Sequence, residues 1–125
     1  MRRNIVMTFA LLIVAFALSS TVFAQKSTVL RVLVIKTDNV AGYVQELDKG
    51  QALLKKLGVQ ETLRVWQARF AGPEAGSVVV SIEFPSMSAL VDSDTKTSAN
   101  SEYKEWLKGL DKVRKIVSDS LYTEQ

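Results

Sequence analysis

The sequence predicts an α+β domain with the element order β-α-β-β-α(α)-β, placed after an N-terminal export signal. Three patterns support this prediction. A β-branched apolar run at residues 30–35 precedes a segment with helical spacing. Two alternating segments flank turn residues at 72–76, and a second helical segment leads into a strand-like run at 116–122. We therefore expect four strands and at least two helices in one mature domain.

Residues 1–24 have the organisation of a secretory signal. Two arginines follow the first methionine, and an apolar run then leads to small residues before a cut site. We expect cleavage between Ala24 and Gln25, which leaves residues 25–125 as one exported domain, periplasmic or secreted. An uncleaved membrane anchor is the alternative, because the uncharged stretch before Ala24 is just long enough to cross a bilayer.

Composition disfavours several kinds of chemistry. Two of the sixteen basic residues lie in the signal and all thirteen acidic residues follow it, so the mature chain has a net charge of only +1. Its charges are interspersed, which gives no support for binding to nucleic acid or, after cleavage, to a membrane. The chain has no cysteine and no histidine, which removes disulfides, thiolate catalysis and the commonest metal and haem ligands. Asp92 and Asp94 would diverge on a helix, so we predict no metal site and no cofactor.

A long helix is predicted after the first strand. Residues 37–39 (Thr-Asp-Asn) are suited to cap its start, and Gly58 is suited to end it. Apolar side chains follow at helical spacing: Val40, Tyr43, Val44, Leu47, Leu54 and Leu57.

Residues 62–71 and 77–84 are predicted to form an antiparallel hairpin around the turn at 72–76. In the first of these strands, alternation places four side chains on each face. One face would carry Arg64, Trp66, Ala68 and Phe70, and the other Leu63, Val65, Gln67 and Arg69. The second strand has a fully apolar face, and Val79, Ser81 and Glu83 on the other.

The rest of the chain is predicted to be a short helix from Pro85-Ser86 to Val91, a polar linker at 92–101, a helix at Tyr103 to Leu110 and a last strand. This order is the ferredoxin-like split βαβ arrangement, with helices on one face of a four-stranded antiparallel sheet. Val65 and Val79 are expected on the face without helices. Since a monomer would expose that face, we predict a homodimer in which two sheets pack together.

Three segments resemble a known superfamily: residues 64–73 (RVWQARFAGP), 83–86 (EFPS) and 102–107 with Glu102-Tyr103 and Trp106-Leu107. Over residues 28–122, the chain is similar to small uncharacterised members of the dimeric α/β-barrel superfamily, which includes antibiotic-biosynthesis-monooxygenase-like and NIPSNAP-like domains. The resemblance implies a homodimer with a ligand cavity between each sheet and its helices. It implies no single activity, because the superfamily includes oxygenases, isomerases, haem-degrading enzymes and proteins of no known chemistry.

Arg69 and Glu83 are the first polar pair of interest. We expect them on one sheet face and nearly opposite each other, with Gln67 and Ser81 between them. Such a cluster would orient an anionic or carbonyl substrate, or would form a dimer-interface ion pair that sets the register. The second interpretation is favoured.

Four further residues are candidates for a ligand pocket. If Trp66 faces the helices, it would approach Tyr103 or Trp106, and Arg64 would anchor an acidic ligand on the same strand face. The resemblance implies that Trp, Asn and Tyr side chains bind a phenolic substrate in cofactor-free oxygenases of the superfamily. No matching asparagine is evident here. Core packing is the favoured role for the aromatic residues, and Arg64 would then extend into solvent at the start of its strand.

Three functional interpretations remain open. The favoured one is an exported dimeric domain of unknown activity that binds a small apolar or aromatic molecule between sheet and helices. The second is a cofactor-independent oxygenase or isomerase acting on an aromatic substrate, for which the sequence offers no convincing base. The third is a structural or interaction module without a ligand pocket.

Overall fold

The computed structural model of the chain describes residues 27–125, which form a four-stranded antiparallel sheet with helices packed on one face. The strands are β1 (Val29–Lys36), β2 (Thr62–Gln67), β3 (Val78–Phe84) and β4 (Lys115–Thr123), and the helices are α1 (Val40–Leu57), α2 (Met87–Ala99) and α3 (Ser101–Asp111). The sheet order is β2-β3-β1-β4. The predicted ferredoxin-like α+β fold is confirmed. The predicted signal and its cut site lie outside the described residues.

Helix α1 has the caps that the sequence predicts. The side chain of Asn39 accepts a hydrogen bond of 2.9 Å from the backbone N–H of Gly42, which satisfies one of the free donors of the first turn. Gly58 has φ 70° and ends the helix, in a left-handed conformation that residues with a side chain rarely adopt. The helix therefore begins and ends where these capping residues predict.

The main core lies between the sheet and helices α1 and α3. Register places Leu33 of β1 opposite Val80 of β3, and Ile35 opposite Val78, so these four side chains share one face. They pack against three buried side chains of the helices, Tyr43, Leu47 and Leu110. We call this the covered face of the sheet. The opposite side is the open face, because no helix within residues 27–125 packs on it.

Helix α2 corrects one prediction. The polar segment predicted as a linker continues as helix to Ala99, and only Asn100 separates α2 from α3. Asp92 pairs with Lys96 at 3.0 Å, and Ser93 and Thr97 are buried although both are polar. The helix has almost no apolar stripe, so periodicity alone could not distinguish it from a loop.

The register of the hairpin corrects a second prediction. Strand β2 ends at Gln67, which pairs with Val78. Val65 is consequently opposite Val80 on the covered face, whereas Trp66 is opposite Val79 on the open face. The prediction placed each of these two β2 residues on the wrong face. The cause is the loop, which begins earlier than predicted, and a shift of one residue in pairing transfers every side chain to the other face.

Strand β4 forms one edge of the sheet and contains a bulge. Val34 pairs with Ser118 and Ile35 with Ile116, so Val117 is an extra residue without a partner on β1.

Within residues 27–125, no helix combines the length and apolar character needed to cross a membrane.

Candidate functional site

The covered face of the sheet carries one basic residue in the middle of β1. Arg31 lies between Ile82 of β3 and Leu121 of β4 in the register. Its Nε and Nη2 atoms donate hydrogen bonds of 2.9 and 2.6 Å to the two carboxylate oxygens of Asp119. A two-point contact of this kind fixes the plane of the guanidinium group. Arg31 is therefore held in one orientation at the border of the core.

A second polar pair lies near Arg31. The hydroxyl of Ser93 donates a hydrogen bond of 2.9 Å to Oε1 of Glu61, which precedes β2. Burial raises the pKa of Glu61, and the hydrogen bond from Ser93 and the positive charge of Arg31 offset part of that increase. A carboxyl with a raised pKa is more readily protonated near neutral pH than an ordinary one.

Tyr103 completes this group of side chains. Burial raises the pKa of its phenol, the negative charge of Glu61 raises it further, and Arg31 acts in the opposite direction. The phenol therefore stays protonated at neutral pH, as a hydrogen-bond donor. We call Arg31, Glu61, Ser93, Tyr103 and Asp119 the Arg31 cluster.

The Arg31 cluster is accessible from the β4 edge of the sheet. The side chains of Arg31 and Asp119 are each 39% exposed, and Leu121 on the same face is 50% exposed. The hydrogen bond from Arg31 lowers the pKa of Asp119, so this carboxylate is ionised over the whole range in which proteins usually work. A molecule approaching this edge would meet an arginine–carboxylate pair of fixed orientation beside apolar surface.

Trp106 adjoins the Arg31 cluster but has a structural role. Its indole Nε1 donates a hydrogen bond of 2.9 Å to the backbone carbonyl of Glu46 in α1. The ring lies directly over Gly50, where a Cβ atom would overlap it. Trp106 therefore packs α3 against α1, and it holds Tyr103, whose ring centroid is 5.3 Å from its own at an interplanar angle of 49°.

The four predicted pocket residues are divided between the two faces of the sheet. Tyr103 and Trp106 lie on the helix side, next to each other. Arg64 and Trp66 lie on the open face, where the indole Nε1 of Trp66 donates a hydrogen bond of 2.9 Å to the hydroxyl of Ser81. The expected approach of Trp66 to Tyr103 or Trp106 is thus wrong, because the sheet separates them.

The predicted pairing of Arg69 with Glu83 is also wrong. Arg69 follows the end of β2 in the hairpin loop, whereas Glu83 is opposite Thr62 at the other end of the strand pair. Gln67 and Ser81 lie on different faces, since Gln67 pairs with Val78 and Ser81 with Arg64. These four residues do not form one cluster.

Sequence reasoning missed most of the Arg31 cluster, although one signal was present. Arg31 is the only charged residue in the apolar run of β1, and a charged residue inside a strand buried on both sides requires a partner. Asp119 is the corresponding charge within the last strand. Glu61 and Ser93 carry no comparable signal, because only the fold brings the start of β2 under helix α2.

The chemistry available to the Arg31 cluster follows from its groups. The guanidinium has further N–H donors besides the two that Asp119 accepts, and these can bind a carbonyl or phenolic oxygen. The phenol can donate a hydrogen bond, and Glu61 can accept or donate a proton. Within the described part of the chain, no group of three or more Asp or Glu residues is arranged to hold a metal ion.

Comparisons with known proteins show the fold. SnoaB, a cofactor-independent oxygenase from Streptomyces nogalater, superposes with a TM-score of 0.60 at 12% identity, over 79% of this chain and 94% of SnoaB. A NIPSNAP family protein from Agrobacterium tumefaciens gives a TM-score of 0.61 at 11% identity, over 80% of this chain and 85% of that protein. A putative antibiotic biosynthesis monooxygenase from Bordetella bronchiseptica gives 0.54 at 10% identity, over 80% and 97%.

Sequence comparisons find no counterpart: no family model matches the chain, and no curated protein is significantly similar to it. At identities of 10–12%, the structural similarity carries information about architecture and not about activity. The chain has the ferredoxin-like fold of the NIPSNAP and antibiotic-biosynthesis-monooxygenase-like proteins, in agreement with the element order predicted above.

Proposed function

We propose that the mature protein is an exported homodimer that binds a small aromatic or apolar molecule between sheet and helices, with an oxygen atom of the ligand directed at Arg31. The single observation that carries this proposal is the Arg31 cluster. The ionisable side chains of this cluster lie on the covered face, near the partly exposed β4 edge of the sheet. Leu121 and the Tyr103–Trp106 pair lie beside them. Binding sites commonly combine apolar walls with a few fixed polar groups.

The open face supports the dimer. Its central side chains Leu30, Val32 and Val79 are apolar and half-buried, and Trp66 and Tyr122 are 54% and 55% exposed. A second copy of the sheet would remove this apolar surface from water. Export remains an expectation from the arginines, apolar run and cut site at the N-terminus.

Glu61 favours an enzyme as the second candidate. The sequence alone offered no convincing base for an oxygenase or isomerase, whereas burial raises the pKa of Glu61 toward the range in which a general base operates. Tyr103 would then position a phenolic or carbonyl oxygen. A module without a ligand pocket is the third candidate, and absence of any ligand would favour it.

Ligand binding is tested with 2-naphthol by isothermal titration calorimetry. We expect saturable binding that Arg31→Met weakens by about tenfold, the loss expected when a hydrogen bond to a charged group is removed. Tyr103→Phe keeps the ring and should weaken binding less. Arg64→Met is the matched control on the open face and should bind like the unmodified protein. No binding, or equal losses in Arg31→Met and Arg64→Met, would exclude the site.

Mass spectrometry of the protein purified from an exporting host tests the same site without a chosen probe. We expect a co-purifying small molecule that is lost from Arg31→Met and retained by Arg64→Met. Oxygen uptake with 1,4-dihydroxynaphthalene separates the enzyme from the binding module. Uptake that depends on Glu61 would favour the oxygenase, and its absence would leave binding as the function.

The dimer is tested by light scattering at micromolar concentration. Val79→Asp places a charge in the centre of the open face and should give a monomer. Val91→Asp is the matched control, because Val91 is 58% exposed on α2, and this variant should remain dimeric. A well-folded monomer of the unmodified protein at this concentration would refute the proposed dimer.

A further inference from the structure

A groove of about 930 Å³ lies at the end of the sheet where the β2–β3 loop returns and the loops β1–α1 and α3–β4 meet. It shares no lining residue with the Arg31 cluster. Lys36 lines the groove five residues after Arg31 along β1, a distance of about 17 Å in a strand. The lining contains four basic side chains: Lys36, Lys112, Arg114 and Lys115. We call it the basic groove.

The strand register brings two of these charges together. Lys36 of β1 is directly opposite Lys115 of β4. Like charges in this position repel each other and destabilise a sheet. Lys112 and Arg114 add two more positive charges just before Lys115. No salt bridge within residues 27–125 neutralises any of the three lysines.

Arg114 fixes one wall of the basic groove to the core. Its side chain is 9% exposed, its Nε and Nη2 donate hydrogen bonds of 3.1 and 2.9 Å to Asp111, and its Nη1 donates one of 3.1 Å to the hydroxyl of Tyr43. The hydroxyl of Thr37 donates a hydrogen bond of 2.8 Å to the carbonyl of Val113 and joins the two loops on either side. These hydrogen bonds therefore fix the backbone that carries the lysines of the basic groove.

The charge balance of the basic groove indicates the charge of the ligand that it would bind. Asp111 neutralises Arg114, and Lys49 neutralises the lining residue Glu46 at 2.7 Å. Three lysines then face one remaining carboxylate, that of Asp38, which leaves a net charge of +2. The hydroxyl of Ser77 and the amide of Asn39 add uncharged hydrogen-bond donors to the lining.

We infer that the basic groove is a binding site for a compact dianion on a small molecule, either a phosphate group or a dicarboxylate. A dianion placed between Lys36 and Lys115 matches the net charge and removes their mutual repulsion. This site does not depend on the proposed function, because it shares no residue with the Arg31 cluster.

The test measures binding of inorganic phosphate at about pH 8, where the ion carries close to two negative charges, at constant ionic strength kept with sodium chloride. A parallel titration with succinate distinguishes a phosphate site from a dicarboxylate site. We expect saturable shifts of the backbone amide resonances around Lys36 and Lys115. The double variant Lys36→Gln/Lys115→Gln should lose at least about tenfold in affinity for the preferred ion.

The matched control is Lys55→Gln/Lys56→Gln, which removes the same charge from the exposed end of α1. It should bind like the unmodified protein. Lys36→Gln alone should raise the melting temperature in the absence of phosphate and should reduce the stabilisation that phosphate gives. Equal losses in the two double variants, or an effect that chloride reproduces, would overturn the inference.

Failure of this inference is distinguishable from failure of the proposed function. Arg31→Met should keep its phosphate or succinate affinity, and Lys36→Gln/Lys115→Gln should keep its affinity for 2-naphthol. A long polyanion such as heparin that binds while phosphate and succinate do not would also overturn the inference, since it would indicate attraction to an extended surface.

Discussion

The two faces of the sheet carry similar apolar side chains but differ in what covers them. On the covered face, Leu33, Ile35, Val78 and Val80 are 0–6% exposed beneath α1 and α3. On the open face, Trp66 and Tyr122 are more than half exposed. The covered face therefore contributes most to the free energy of folding, whereas the open face has apolar surface available for association. Stability and association should thus respond to substitutions on different faces.

The largest effect is expected for Leu33→Ala on the covered face. Truncating a fully buried leucine costs about 2–5 kcal/mol, through lost burial and the cavity that remains. Leu30→Ala is the matched change on the open face, where Leu30 is half-buried, and should cost about 1 kcal/mol in the monomer. Urea unfolding measures both. If the proposed dimer forms, the cost of Leu30→Ala should grow with protein concentration, and a concentration-independent cost would count against it.

A smaller loss is expected for Gly50→Ala. An alanine normally stabilises a helix relative to glycine, but here its Cβ would overlap the Trp106 ring, so we expect a net loss of about 1–3 kcal/mol. Gly109→Ala in α3 is the matched control. Its Cβ would meet no atom within 4 Å, so this variant should gain about 0.5–1 kcal/mol. Opposite signs in thermal unfolding are expected, and a gain in both variants would show that Trp106 is not fixed over Gly50.

The smallest effect is expected for Glu61→Gln, and it depends on pH. Burial raises the pKa of Glu61, so the folded protein holds this proton more tightly than the unfolded chain does. A cost to stability therefore appears as the pH rises above about 4.3, the pKa of an unfolded glutamate, and is complete above the folded pKa. Glu61→Gln removes that cost and keeps an acceptor for Ser93.

We expect Glu61→Gln to be more stable than the unmodified protein at pH 7, because the amide avoids the cost of ionising a partly buried carboxyl. The difference should vanish at acidic pH, where the carboxyl is protonated in both states. Glu83→Gln, at an exposed carboxylate of the open face, is the control. Urea unfolding at several pH values measures the difference in stability between the variant and the unmodified protein. If this difference is the same at acidic and neutral pH, burial does not raise the pKa of Glu61.

The order of elements could be predicted because each has a local signal. The β-branched run of β1 and the apolar spacing of α1, ended by Gly58, required no knowledge of the fold. Helix α2 beyond Val91 could not be predicted, because its polar sequence is stabilised by local contacts such as Asp92–Lys96.

The faces of β2 could not be predicted either. Both alternating sets of this strand contain large apolar side chains, Leu63 and Val65 on one side and Trp66 on the other. Alternation therefore does not identify the inner face, and the pairing of Gln67 with Val78 decides it. The candidate site could be predicted only in part. Arg31 is recognisable in the sequence as a charge in an apolar strand, but only the fold brings Glu61 and Ser93 near it.

The extra residue Val117 also concerns how the protein avoids aggregation. Strand β4 is nine residues long and lies at an edge of the sheet, where unpaired backbone groups are able to capture a strand of another molecule. The bulge interrupts the regular spacing of those groups, and the charges of Lys115 and Asp119 disfavour a continuous intermolecular ladder. A single inserted residue thus disfavours edge-to-edge assembly of this sheet with a second one.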